Sequence, residues 1–115
     1  MLTTILFTAS LAVDNTEKKY DLPGSAKCTD GTQAAAYVSL AADSGSETNN
    51  KKWIIEIEGG GICESYSDCQ NRAKGDLGSS KGFKDTIQGN AMRSRDPKEN
   101  PDFHDWNHVF VPYCR

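Results

Sequence analysis

No apolar run in the 115-residue chain is long enough to span a bilayer. Basic residues are not in excess either: 13 Lys and Arg stand against 16 Asp and Glu, for a formal net charge of −3. The two signs are interspersed, so the chain lacks the positive stripe that attracts nucleic acid. There is no internal repeat, no low-complexity tract, and no G-x-G-x-x-G turn of the kind that cradles a dinucleotide. C-x-x-C pairs are also absent. A zinc site usually needs them, because one tight turn must present two sulfurs to one ion. The expected partners therefore include no nucleic acid and no membrane span, and no metal or other cofactor is expected.

A chain of this length holds one small domain, and 37% apolar residues allow a modest core. Its four cysteines are Cys28, Cys63, Cys69 and Cys114. An even count in a short chain fits two disulfides and an oxidising compartment, with widely spaced zinc ligation as the rival. Three pairings are open on sequence alone. Met1–Val13 (MLTTILFTASLAV) has an apolar stretch and small residues near Ala12 but no positive start. It reads as a weak or clipped signal peptide or as an unstructured start. With the polar residues after it, 1–19 is expected to be leader and linker, and 20–115 the domain.

Leu22-Pro23-Gly24-Ser25 and Thr29-Asp30-Gly31-Thr32 are turn signals. Ala34–Ala41 favours a strand through Tyr37 and Val38. Asp43–Lys52 is polar and suits a hairpin or meander connection. Trp53–Ile57 is the best strand, short and rich in β-branched and aromatic residues, and His108–Val111 is a second one of buried type. Ser67–Lys74 could form two turns of helix. Gly75–Asn90 reads as a long surface loop. The order is strand, glycine loop, short helix, long loops, strand.

Three segments resemble chemical motifs. Gly59-Gly60-Gly61 follows a strand directly, and glycines let backbone N–H groups converge on an anion without Cβ obstruction. A loop after an early strand supplies one oxyanion donor in α/β-hydrolases. The bland alternative is a flexible turn. Gly78-Ser79-Ser80-Lys81-Gly82 spells G-x-S-x-G, but no buried strand precedes Ser80, so a nucleophile elbow is not expected. His104-Asp105-Trp106-Asn107-His108 approximates H-E-x-x-H, but Pro101 and the following strand leave no room for the helix that zinc motif requires. Glu56 and Glu58 read as a solvated strand edge, with Glu58 placed to hydrogen-bond the glycine loop.

Taken in order, Cys28-Thr29-Asp30-Gly31-Thr32, Lys52–Ile55, Glu58–Cys63, Cys69-Gln70-Asn71-Arg72, Gly78–Gly82, Asn100-Pro101, Trp106-Asn107 and Val109–Cys114 resemble the pectin acetylesterase / Notum family. The resemblance implies a secreted α/β-hydrolase-like ester hydrolase. Plant members deacetylate pectin, and the animal member Notum removes a lipid acyl group from Wnt proteins. It further implies that Gly60 and Gly61 supply oxyanion-hole N–H groups, and that Cys28 pairs with Cys114 and Cys63 with Cys69. Ile62 departs from the aromatic residue usual before the loop cysteine.

In the family the nucleophilic serine, the acid and the base all lie beyond the segment matching Cys114. The expectation is thus an incomplete α/β fold, the N-terminal part of a carboxylesterase, with an oxyanion loop and no catalytic residue of its own. The parent protein would act on an acylated polysaccharide or an acylated protein. The alternative is a disulfide-stapled binding module or pseudoenzyme.

Overall fold

The computed structural model describes residues 13–45 and 49–115; Met1–Ala12, where the leader was expected, lie outside them. The elements along the chain are β1 (Thr16–Asp21), β2 (Ala35–Ser39), β3 (Trp53–Ile57), α1 (Tyr66–Ala73), β4 (Thr86–Gln88) and β5 (Asn107–Val111). The strands form one mixed sheet in the order β3-β5-β2-β1-β4. Among the described residues only the β3–β5 pair is parallel, with Trp53 opposite Asn107 and Ile57 opposite Val111. A parallel pair needs a long crossover, and the chain supplies it through α1 and the loops around β4. No helix among the described residues is long and apolar enough to cross a membrane.

Three expectations need correction. The polar stretch Asp14–Lys19 is not a linker, because β1 begins inside it and pairs antiparallel with both β2 and β4. Its alternation is hidden by the use of a charge on the inward face: Glu17 is fully buried while Lys18 is exposed. The 75–90 stretch is not wholly loop, since Thr86–Gln88 adds an edge strand to β1. Residues 43–52 do not close a hairpin, because β2 and β3 flank β5 from opposite sides. The Ala34–Ala41 strand is present as β2, ending in a 3-10 turn at Ala41–Ser44.

β3 forms where expected, at the sheet's edge; its Trp53, Ile55 and Ile57 alternate onto one face of the sheet and are exposed there, while Ile54 and Glu56 on the other face are half-buried. The opposite face is covered by the chain between β4 and β5, and what covers it is largely polar. Arg93 donates through Nε to Glu56 Oε2 at 2.6 Å and through Nη1 to Glu17 Oε2, so it bridges β3 and β1. Its guanidinium lies 4.3 Å from the Phe110 ring centroid on β5, in cation–π position. Arg95 donates to the Ser39 carbonyl at 2.7 Å, and to the carbonyls of His104 (3.0 Å) and Trp106. Burial raises the Glu17 carboxyl above its ordinary pKa, opposed by its Arg93 partner. Glu56 is therefore an ion-pair partner and not a solvated edge acid.

Both disulfides follow the pairing the family resemblance implied. Cys28–Cys114 has a Cα–Cα distance of 4.9 Å and closes a sequence separation of 86; Cys63–Cys69 spans 5.1 Å and a separation of 6. A link across so long a loop restricts the unfolded chain strongly, by about 4–5 kcal/mol in the chain-entropy account. It also fixes the Cys28–Thr32 turn against the chain just after β5, where Thr29 N donates to the Cys114 carbonyl at 2.9 Å.

Replacing Arg93 with Met should cost about 3–5 kcal/mol in urea denaturation, because Glu17 is then left buried without its counter-charge. A loss under about 1 kcal/mol would show that the ion pair does not hold the sheet's cover. His108 supplies a pH test. It is fully buried, its Nε2 donates to the Phe103 carbonyl at 2.7 Å, and burial lowers its pKa below the ordinary 6.5. As pH falls below 6.5 the unfolded chain takes up this proton first, so stability declines there until the folded imidazole titrates. The melting midpoint of His108→Gln, which keeps a donor near Nε2, should fall less between pH 7 and pH 5 than that of the parent. Parallel slopes would refute it.

Candidate oxyanion-binding site

β3 delivers the chain into Glu58-Gly59-Gly60-Gly61-Ile62-Cys63, and each end of this loop is anchored. At the first end Glu58 N donates to the Val111 carbonyl at 2.9 Å, and Glu58 Oε2 accepts from Tyr113 N at 2.8 Å. At the far end Cys63 is bonded to Cys69 on α1. The helix starts there because Ser65 caps it, accepting from Asp68 N at 3.1 Å. Asp68 in the first turn also accepts from Glu64 N at 3.2 Å, and its charge suits the positive end of the helix.

Two side chains reach the middle of the loop. Arg72, in the last turn of α1, donates from Nη1 to the Gly60 carbonyl at 2.7 Å. The Tyr113 hydroxyl donates to the Gly61 carbonyl. The Tyr113 ring also lies flat against Gly60: a Cβ there would sit 2.3 Å from Tyr113 Cδ1. Gly61 has φ +71°, a backbone conformation that favours glycine. Among the described residues, no acceptor receives the N–H of Gly60, Gly61 or Ile62. The loop thus has its Gly60 and Gly61 carbonyls engaged and three adjacent amides without a protein acceptor, a run of donors of the kind that binds anions.

Sequence reasoning singled out Gly60 and Gly61 as oxyanion donors and read Glu58 first as a solvated edge acid; its carboxylate instead accepts from Tyr113 N, beyond β5. It missed Arg72 and Tyr113 as loop contacts. They lie 12 and 52 residues from the glycines whose carbonyls they hold, and nothing local marks them.

The other two motifs have structural uses. Gly78 is packed so closely on the end of α1 that a Cβ would meet the Arg72 carbonyl oxygen at 2.2 Å. Ser79 is buried, and Ser80 N donates to Thr32 Oγ1 at 2.9 Å, so this segment braces the Cys28 turn. The hydroxyls of Ser79 and Thr32 hold the Asp30 carboxyl down to about 2. No strand leads into Ser80, which rules out an elbow. His104 and His108 sit in a turn and in β5, with ring nitrogens on backbone carbonyls. All four cysteines are in disulfides, and no group of His, Cys, Asp and Glu among the described residues could hold a metal ion.

Gly60→Ala should lower stability by about 1–3 kcal/mol, the usual cost of forcing extra volume into a filled site. Gly61→Ala should cost about 1–2 kcal/mol through its backbone conformation alone. Gly59→Ala is the control, since a Cβ there meets nothing within 4 Å. Equal melting midpoints for all three variants would mean that Tyr113 does not clamp the loop.

The family model for Pectinacetylesterase matches residues 8–115. Pectin acetylesterase 5 of Arabidopsis thaliana is 36% identical over 87 residues, covering 76% of this chain and 19% of that protein. Inactive palmitoleoyl-protein carboxylesterase notum1b of Danio rerio is 36% identical over 92 residues, 78% of this chain and 62% of that protein. Among solved structures, the Wnt deacylase Notum from Drosophila superposes with a TM-score of 0.73 at 31% identity, covering 86% of this chain and 27% of that one. The chain thus spans about a fifth of the plant relative and about a quarter of the solved Notum. Its mixed sheet is part of an α/β-hydrolase fold, and the chain belongs to the pectinacetylesterase family.

Proposed function

We propose that this chain provides the oxyanion-binding part of a secreted carboxylic-ester hydrolase. The observation that carries the reading is the glycine loop after β3, whose Gly60 and Gly61 carbonyls are engaged while the amides of Gly60, Gly61 and Ile62 have no acceptor among the described residues. In acyl transfer to a serine, negative charge develops on the former carbonyl oxygen. Fixed N–H donors aimed at that oxygen stabilise the transition state more than the ground state, and loss of one typically costs about 10²- to 10³-fold in turnover. The substrate class is an acylated polysaccharide or an acylated protein, as the names of the relatives suggest. Two disulfides support passage through an oxidising compartment.

The nucleophile, acid and base of the proposed reaction lie outside this chain. Supporting this, Ser80 sits in a brace without a preceding strand, and both histidines are bonded to backbone carbonyls. The purified chain should therefore hydrolyse p-nitrophenyl acetate no faster than buffer. Turnover that disappears in Ser80→Ala would sink this assignment and make Ser80 the nucleophile.

A second reading, a non-catalytic module that keeps the scaffold, draws on the similarity to a relative whose name calls it inactive. It requires the isolated chain to be a monomer that melts cooperatively. An aggregated or molten product would exclude it.

A further inference from the structure

The glycine loop contains peptide units that are gripped from their carbonyl side. A trans peptide is planar, so its C=O and its N–H point in opposite directions; no peptide bond among the described residues is cis. The Gly60 carbonyl shares its plane with the N–H of Gly61, and the Gly61 carbonyl shares its plane with the N–H of Ile62. Arg72 holds the first carbonyl at 2.7 Å, and the Tyr113 hydroxyl holds the second. Each grip therefore sets the direction of the amide on the far side of the unit, away from the side chain that grips it.

We infer that Arg72 and Tyr113 are positioning residues for the loop: Arg72 aims the Gly61 N–H, and Tyr113 aims the Ile62 N–H and so adds it to the donor set. This rests on the oxyanion reading above. The ligand is an oxyanion held by main-chain donors, and neither side chain touches it.

Arg72 can do this because its own position is over-determined. Its backbone carbonyl is packed against Gly78. Its Nε lies 3.8 Å from Asp68 Oδ1, one helical turn away. The Cys63–Cys69 bond fixes the helix to the loop it controls. Tyr113 is set just as firmly, between the Glu58 carboxylate on its backbone N–H and Cys114 in the long-range disulfide. The Ile62 side chain is 80% exposed, so the direction of its amide is not governed by side-chain packing.

The test uses backbone amide resonances of the full 115-residue chain, titrated with methylphosphonate as a tetrahedral anion. In the parent chain the Gly61 and Ile62 amides should shift together with the anion. Arg72→Met should displace the free-state Gly61 resonance and weaken the anion response roughly three- to tenfold, the scale of one lost hydrogen bond. Tyr113→Phe, which removes only the hydroxyl, should displace Ile62 and leave Gly61 in place. Arg72→Lys keeps a donor and should restore much of the Gly61 signal, which also covers the case in which Arg72→Met unfolds. Loss of fold alone would move both amides in either variant, so the split pattern separates positioning from stability.

A parent response that neither variant changes, or identical shifts in both variants, overturns this inference and leaves the oxyanion reading standing. No response of any loop amide in the parent chain overturns the oxyanion reading and this inference with it.

Discussion

The fold depends on one buried cation. Arg93 comes from the chain that crosses the sheet and joins Glu17 on β1 to Glu56 on β3, over the Phe110 ring of β5. Those strands lie on opposite sides of the β5–β2 pair. A single guanidinium thus ties three strands to their cover, with five donors in a rigid fork that a lysine could not reproduce. Beside it Arg95 takes up the carbonyls of Ser39, His104 and Trp106. Where most small domains bury Leu and Ile, this one buries Glu17, Arg93, Arg95 and His108. Such a core depends on its pairings: removing one partner leaves the other charge buried and uncompensated.

From that sheet a chain of contacts leads to the glycine loop. Cys28–Cys114 fixes the Cys28–Thr32 turn to the chain after β5, which sets Tyr113. The same turn holds Ser80 through Thr32, and Gly78 then presses on the carbonyl of Arg72. Arg72 in turn holds Gly60. The letters G-x-S-x-G here encode a strut. Both flanking features, the buried Ser79 and the Asp30 carboxylate held low by its hydroxyl neighbours, belong to that strut and not to chemistry. Backbone amides are useful as oxyanion donors only if they need no reorganisation at the moment of reaction, and a loop of three glycines has no rigidity of its own. The rigidity comes from disulfide, helix and tyrosine.

Much of this was legible beforehand, for identifiable reasons. β3 and β5 announced themselves through their β-branched runs, and α1 was legible as two turns at Ser67–Lys74, whereas the Ser65 cap that starts it at Tyr66 was not foreseen. The glycine triplet alone was an ambiguous turn; its place directly after a strand and the ordered family resemblance singled it out, and the resemblance also supplied the cysteine pairing. β1 was not legible. TEKKYD looks like solvent-facing chain because its inward residue is a carboxylate, and the arginine that makes this tolerable lies 76 residues away. The edge position of β3 was hidden too, since an apolar strand looks the same in the middle of a sheet and at its rim. Arg72 and Tyr113 stayed unassigned for a related reason: their targets are main-chain carbonyls, which carry no sequence signature.

The use of a carbonyl as the target of Arg72 also bears on how the loop would act. A guanidinium placed directly on a substrate oxygen is a full positive charge, and it would hold any carboxylate, including the acid product of ester cleavage. Here the charge is shared with Asp68 and aimed at the Gly60 carbonyl. On the proposed reading, what faces the substrate is a set of peptide dipoles. These interact weakly with a neutral ester carbonyl and more strongly as that oxygen gains charge, which is the differential that accelerates acyl transfer. The arginine thereby contributes direction without contributing tight product binding. On the proposed reading, the polar architecture that makes this sheet hard to recognise in sequence is the same device that keeps its site neutral: cations are spent inside the scaffold, on carbonyls and buried carboxylates, and the donors left for the reaction are backbone N–H groups.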